Sequence, residues 1–388
     1  MAPIRTTTEA ATCRGFACPH EFLDEQFLEA VAVEYARGFA KRFSQRFRQN
    51  SGARCRGLFR FLDAGLKKPL AFETIWDTSF GQARRAVLEA NSFGLVRRAT
   101  ALGLRLVEAG QLGQWELEFE STVRLQFDRW LLQSSKWIAV TSTSLGTTVH
   151  VVRRGRVGQL RFWRARNGWQ ADGAEVLPIV NSSGRRFILV QGALAESFRL
   201  DGFRPMFAAK ADAATSALHR ALDLLARHAP IFLPWITRVL RRIIPVQSIP
   251  EKICSGSYQD HPGTIYMSLD CPPAAIAEIL IHEASHQYYY LLSRYGAVDN
   301  GAAQTFFSPV KGANRPISMI LLAYHAFANV LLFYRLCRQT RIRDAGYCRE
   351  NEIRLLPQLQ VLEDALVASK ALTPLGNALW RPLAARLW

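Results

Sequence analysis

Apolar and polar positions along the chain fall into three regimes. From residue 20 to about residue 130 the spacing is helical: in "HEFLDEQFLEAVAVEYARGFAKRFSQRF" the apolar residues share one face and Arg and Lys take the other. "TIWDTSFGQARRAVLEANSFGLVRRATALGLRLVEAG" continues in that style, with breaks near Gly65 and Gly110. Near residue 136 the pattern changes. "KWIAVTSTSLGTTVHVVRRGRVGQLRFW" is rich in β-branched and aromatic residues with Gly at turn positions, which predicts several antiparallel strands over about 137–200. Helix returns over about 208–228 and is punctuated by Pro230 and Pro234; beyond them Trp235, Arg238, Arg241 and Arg242 read as a basic, solvated helix face. "GTIYMSL" is a short strand. Asp270 then suits an N-cap, Pro272 and Pro273 a first helical turn and Gly296 a stop, so a helix is expected over about 272–294. The pattern predicts an α+β fold, mainly α-helical, with an antiparallel β section in the middle: a helical region over 1–135, a β region over 136–205 and a second helical region over 206–388.

One stretch raises the question of a membrane. Ile317 to Tyr334 contains no Asp, Glu, Lys or Arg and nearly reaches bilayer length. It also carries His325 and Asn329, which are costly in lipid, so a buried core helix is expected and no membrane partner.

Composition sharpens this only a little. A chain of 388 residues fits two or three structural units on one body, and 49% apolar with 21% charged residues permits a sizeable core. The net charge of +17 favours anionic partners, although a genome that prefers Arg gives the same sum. Nothing resembles a helix-turn-helix or an RNA-recognition motif, so nucleic acid is not expected. Seven scattered cysteines without a Cys-x-x-Cys pair indicate neither a disulfide framework nor a zinc ribbon. Cys13, Cys18 and His20 read as a loose N-terminal segment. The first twenty residues lack the apolar stretch of a signal peptide, which with reduced thiols suggests a cytoplasmic protein.

The chemistry concentrates in "IHEASHQYYY", residues 281 to 290, which contains His-Glu-x-x-His. On a helix His282 and His286 project from one face, one turn apart, and can chelate one cation. Glu283 is rotated by about 100° from His282, so it reaches a metal-bound water or a group behind the ligands rather than the metal itself. In zinc peptidases that glutamate is the general base. A third ligand is needed. The metzincin continuation is absent, since Tyr289 and Leu292 stand where its Gly and third His would be. Glu352 is possible but lies among arginines. His325, in the middle of the uncharged helix, is the better candidate, because a buried ring must find a partner. The metal site is thus expected on a pair of core helices.

"AEILIHEASHQ" followed by "FFSPVKGANRPISMILLAYHAFANVLLFYR" resembles the HExxH-type peptide β-hydroxylases, proteins that modify ribosomally synthesised peptides. The matching residues are Phe307, Ser308 and Pro309, then Arg315 and Pro316, Tyr324 to Phe327, and Phe333 to Arg335. Val310 and Tyr334 depart from the family's usual Trp, and Ala284 and Ser285 from its bulkier pair. The resemblance covers about residues 255–338. It implies an Fe(II)- and 2-oxoglutarate-dependent dioxygenase that hydroxylates a side-chain β-carbon of a ribosomal precursor peptide. His282, His286 and His325 would be the metal ligands and Glu283 would stand behind them. Arg315, which opens the His325 helix, would hold the far carboxylate of 2-oxoglutarate. Tyr288 and Tyr324 are candidate pocket residues and His261 a candidate for its rim. The basic charge suits an acidic leader peptide. The alternative is a zinc metallopeptidase with Glu283 as base.

Overall fold

Phe39, Phe43 and Phe47 recur every four residues, and their rings pack one on the next along one buried stripe, 5.3 Å between successive centroids. That stripe makes Glu25–Asn50 one long helix, α1, with Arg37, Lys41 and Arg42 left in solvent. The computed structural model describes residues 13–50, 53–88, 94–182, 185–190, 192–195, 198, 200–206, 211–249, 254–340 and 344–388. After α1 come α2 (Arg56–Leu66), α3 (Phe72–Ile75), α4 (Thr78–Leu88) and α5 (Leu95–Glu108), which complete the first helical layer.

Strands begin at Gly113, some twenty residues before the predicted change. β1 (Gly113–Glu118) buries Trp115 and Leu117 and exposes their neighbours; β2 (Val123–Phe127) buries Val123, Leu125 and Phe127. This is period-two patterning, hidden in the sequence because each run is only a few residues long. The next strands are β3 (Trp130–Ser134), β4 (Trp137–Thr143), β5 (Gly146–Arg153), β6 (Arg156–Ala165), β7 (Gly168–Asp172) and β8 (Glu175–Val176). They form an antiparallel sheet in the order β1-β4-β5-β6-β7 and a smaller one, β2-β3-β8.

A further sheet joins the expected β and C-terminal regions. β9 (Ile179–Ser182) and β10 (Arg185–Leu189) are followed by α6 (Gly192–Ala195), α7 (Ala211–His228) and α8 (Phe232–Val239). Then come β11 (Arg242–Pro245), β12 (Ser255–Ser257) and β13 (Thr264–Met267). The order is β12-β13-β11-β10-β9, and β11 runs parallel to both β10 and β13. The helical crossover through α7 and α8 makes the β10–β11 pairing possible. The β section is therefore not wholly antiparallel, nor confined to 136–205. One hydrophobic cluster contains residues from all three predicted regions.

The expected basic stripe is not a solvated helix face. Trp235 and Arg238 are buried in α8, and Arg238 is held by Glu73 at 3.0 Å and by Glu25. Arg242 lies not on a helix face but in β11, all four of whose residues are buried. A short, fully buried run carries no periodicity to reveal it as strand.

The remaining elements are α9 (Pro273–Tyr295), the hairpin β14 (Thr305–Ser308) and β15 (Ala313–Pro316), α10 (Ile317–Gln339), α11 (Ala345–Ala368) and α12 (Pro374–Leu387). α10 is the one helix among the described residues that is long and apolar enough to cross a membrane, yet 72% of its apolar window is buried inside the protein. It packs against α9, α11 and α12. The N-terminal segment is not loose from Cys13 onward: Cys13, Phe16, Ala17 and Cys18 are fully buried.

Candidate functional site

Helix α9 is packed on almost every side. Between Glu278 and Tyr290 only Glu278, His282, His286 and Tyr290 are partly open, a row with a residue at every fourth position. The two histidine rings meet edge to face, 4.6 Å between centroids. Phe327 of α10 lies against His282 at 5.1 Å, and Tyr290 against His286 at 6.3 Å. Burial, with the charge of Lys311, lowers His282 to about 4. Burial also lowers His286 well below its ordinary value, helped by His282, His325 and Lys311. Both rings are therefore neutral at physiological pH, with a lone pair on each. His286 Nδ1 is buried without a hydrogen-bond partner. Lys311 stands in the tight turn of the β14–β15 hairpin, where its N–H and that of Gly312 donate to the Ser308 carbonyl.

Glu283 leaves the opposite side of the row and meets the edge strand β12. Ser255 Oγ donates to its Oε1 and Ser257 Oγ to its Oε2, each at 2.8 Å. Two serines two residues apart share one face of a strand, so a single carboxylate can span them. Burial raises Glu283 to about 7, and the two serines oppose that rise. This clamp was not foreseen. Its only trace in the sequence is the Ser-x-Ser of "CSGSY", which has no meaning until β12 is laid beside α9. Gly256 between the serines sits under Tyr266, leaving no room for a side chain there.

His325 is fully buried in α10. Its Nε2–H is shared between the carbonyls of Phe16 and Ala17, both at 2.9 Å. Asn329, one turn on, also donates to Ala17 O, at 2.8 Å. Since both partners of Nε2 are acceptors, the proton sits on Nε2 and Nδ1 carries a bare lone pair with no hydrogen bond. Burial lowers the ring to about 4 against the pull of the surrounding carbonyls. A second ring nitrogen donating to a backbone carbonyl is the usual support of a metal-ligating histidine. Even so, no group of three His, Cys, Asp or Glu side chains able to hold an ion together occurs among the described residues. His282 and His286 are brought together as a pair; His325 is anchored on the N-terminal segment.

Arg315, in β15 opposite Phe306, is half-buried and makes no ion pair among the described residues. Glu352 is an ion-pair partner of Arg338 at 2.6 Å and of Arg335 at 3.4 Å. Tyr288 and Tyr324 are core residues, not pocket residues: their hydroxyls donate to Trp235 O at 3.0 Å and to Glu363 Oε2 at 2.7 Å. His261 is buried between the rings of Phe198 and Tyr258.

The chain matches no known family model and no curated protein. Two neutral imidazoles one turn apart fit two positions of a transition metal, and imidazole suits iron and zinc alike. Lys311, whose charge reaches both rings, favours an anionic ligand beside such an ion.

Proposed function

We propose that this protein is an Fe(II)- and 2-oxoglutarate-dependent oxygenase that hydroxylates a side-chain β-carbon of a ribosomally synthesised peptide. The observation that carries the reading is the pair His282 and His286: neutral, adjacent, and in the only partly open row of a buried helix. This pair brings no negative charge to the ion, so the ion's positive charge would not be offset by protein carboxylates and a dianionic keto acid would be welcome beside it. In this reading His282 and His286 would hold the metal, and His325, which acts on His286 electrostatically but is not gathered with the pair into one group, would have to close on them to be the third ligand through Nδ1, its ring oriented by the Phe16 and Ala17 carbonyls. A bound iron would supply the place where O₂, the oxidant, takes two electrons from 2-oxoglutarate, which leaves as succinate and CO₂, and two from the C–H bond that becomes C–OH. Arg315 binds the far carboxylate of the keto acid and Lys311 adds to the positive field at the entrance. Glu283 is a positioning residue: both its oxygens accept from serine hydroxyls, which ties α9 to β12 and fixes the pitch of the histidines. That engagement argues against the zinc-peptidase alternative, where the carboxylate must be at liberty to take a proton from water. The peptide partner is a precursor with an acidic leader, met in the cytoplasm.

The test is anaerobic. Iron(II) and 2-oxoglutarate are added to purified protein, and the visible charge-transfer band of a chelated keto acid is recorded. The band is expected in the wild type and in Glu283→Gln, and lost in His282→Ala, His286→Ala and His325→Ala. Absence of the band, with tightly held zinc and peptide cleavage that Glu283→Gln abolishes, would establish the peptidase instead.

A further inference from the structure

A second basic feature lies away from the histidine row. The first turns of α4 and α5, strand β2 and the start of β11 enclose a cavity of about 290 Å³. Arg97, Arg98, Arg124 and Arg242 line it, and no acidic residue does among the described residues. The charge of Arg242 is balanced from behind by Asp77 at 2.6 Å. Arg97 and Arg124 make no ion pair among the described residues. Like charges gathered in one cavity repel each other, and a fold keeps such an arrangement at a cost unless something anionic enters it. Ser79 and Gln82 add a hydroxyl and an amide group at the start of α4.

Leu125, Leu194 and Phe198 add an apolar part to the lining. A small inorganic anion would leave that part wet. A peptide segment that alternates acidic and apolar side chains would cover both parts. Phe198 also meets His261 at 5.1 Å, and His261 meets Tyr258 at 5.6 Å.

We propose that this cavity is a docking site for an acidic, partly apolar segment of the peptide substrate, which holds the chain while another part of it reaches His282 and His286. The proposal rests on the reading above that the substrate is a peptide. Its cation set and its apolar part lie outside the histidine row, so docking does not require a metal.

The experiment uses metal-free, full-length protein. Fluorescence anisotropy is recorded with a dye-labelled peptide of alternating Glu and Leu and with its Gln–Leu counterpart. The Glu–Leu peptide is expected to bind and the Gln–Leu peptide not. Arg97→Gln with Arg124→Gln should weaken binding by about tenfold or more, since two charge-assisted contacts are removed. Arg154→Gln with Arg156→Gln, on the exposed β5–β6 turn, should leave it unchanged. Both double variants alter exposed or half-exposed side chains, and an unchanged circular dichroism spectrum and melting temperature would show that each is folded. Equal weakening by both double variants would reveal general attraction to a chain of charge +17 and overturn the proposal. So would phosphate binding to these arginines by calorimetry with no peptide binding, which would mark a small-anion site. The keto-acid band needs no peptide and peptide docking needs no metal, so failure of one reading is distinguishable from failure of the other.

Discussion

Replacing Asp77 by Asn keeps the shape of the side chain and removes one buried charge. Asp77 is 1% exposed. Its Oδ2 accepts from Arg242 at 2.6 Å and lies 3.6 Å from Arg105 Nε, while Oδ1 accepts from the Ser79 N–H at 2.8 Å. One carboxylate thus joins β11, α5 and the start of α4. Burial alone would raise its pKa, but Arg242, Arg105 and the Ser79 N–H outweigh burial and hold it well below its usual value of 3.8. Removing one partner of a buried ion pair costs about 3–5 kcal/mol, because the other charges stay buried and uncompensated. At about 1.4 kcal/mol per decade this lowers the folded-to-unfolded ratio by roughly two to four orders of magnitude. The pH dependence follows from the sign of the shift. The folded pKa is depressed, so the stabilisation is fully present above the unfolded value and lost as the pH falls through the folded one. Urea unfolding followed by tryptophan fluorescence, repeated from about pH 7 down to about pH 3, measures both effects. The variant should be less stable near neutrality and should lose less further stability on acidification. A loss below about 1 kcal/mol near neutral pH, or an acid slope equal to that of the wild type, would refute the reasoning.

Two further outcomes concern the site's supports. Ser255→Ala with Ser257→Ala leaves the buried Glu283 carboxylate without either side-chain donor and should cost about 2–5 kcal/mol in urea unfolding. Adding Glu283→Gln should recover part of that loss, since a neutral amide is cheaper to bury than an unpaired carboxylate; no recovery would show that the serines act only through packing. His325→Ala should lower stability by about 2–4 kcal/mol and release the segment around Phe16, read as faster amide hydrogen exchange from Cys13 to Cys18. Unchanged exchange there would mean that the imidazole does not anchor that segment.

Much of the architecture was legible in the chain. The helical stripe of α1, the alternation through β4 to β6, and the Pro272 and Gly296 signals around α9 each express a period or a backbone restriction carried by neighbouring residues. The early strands were missed because their runs are short, and β11 because a run buried on both faces alternates with nothing. Arg242 and Arg238 show the same limit from the charged side. An arginine reads as solvated until its carboxylate is found, and Asp77 and Glu73 lie more than 160 residues away in the chain.

For the site the division is similar. The spacing in His-Glu-x-x-His by itself determined that two imidazoles share one helix face and that the glutamate between them points elsewhere, because the 100° step per residue belongs to the helix and not to its surroundings. Only the tertiary structure decided that the face is the partly open one, that Glu283 is held between two serines, that His325 is bound to the carbonyls of Phe16 and Ala17, and that four arginines from α5, β2 and β11 share one cavity. Burial, hydrogen-bond partners and shared charge depend on which distant segments pack together, and no local period records that.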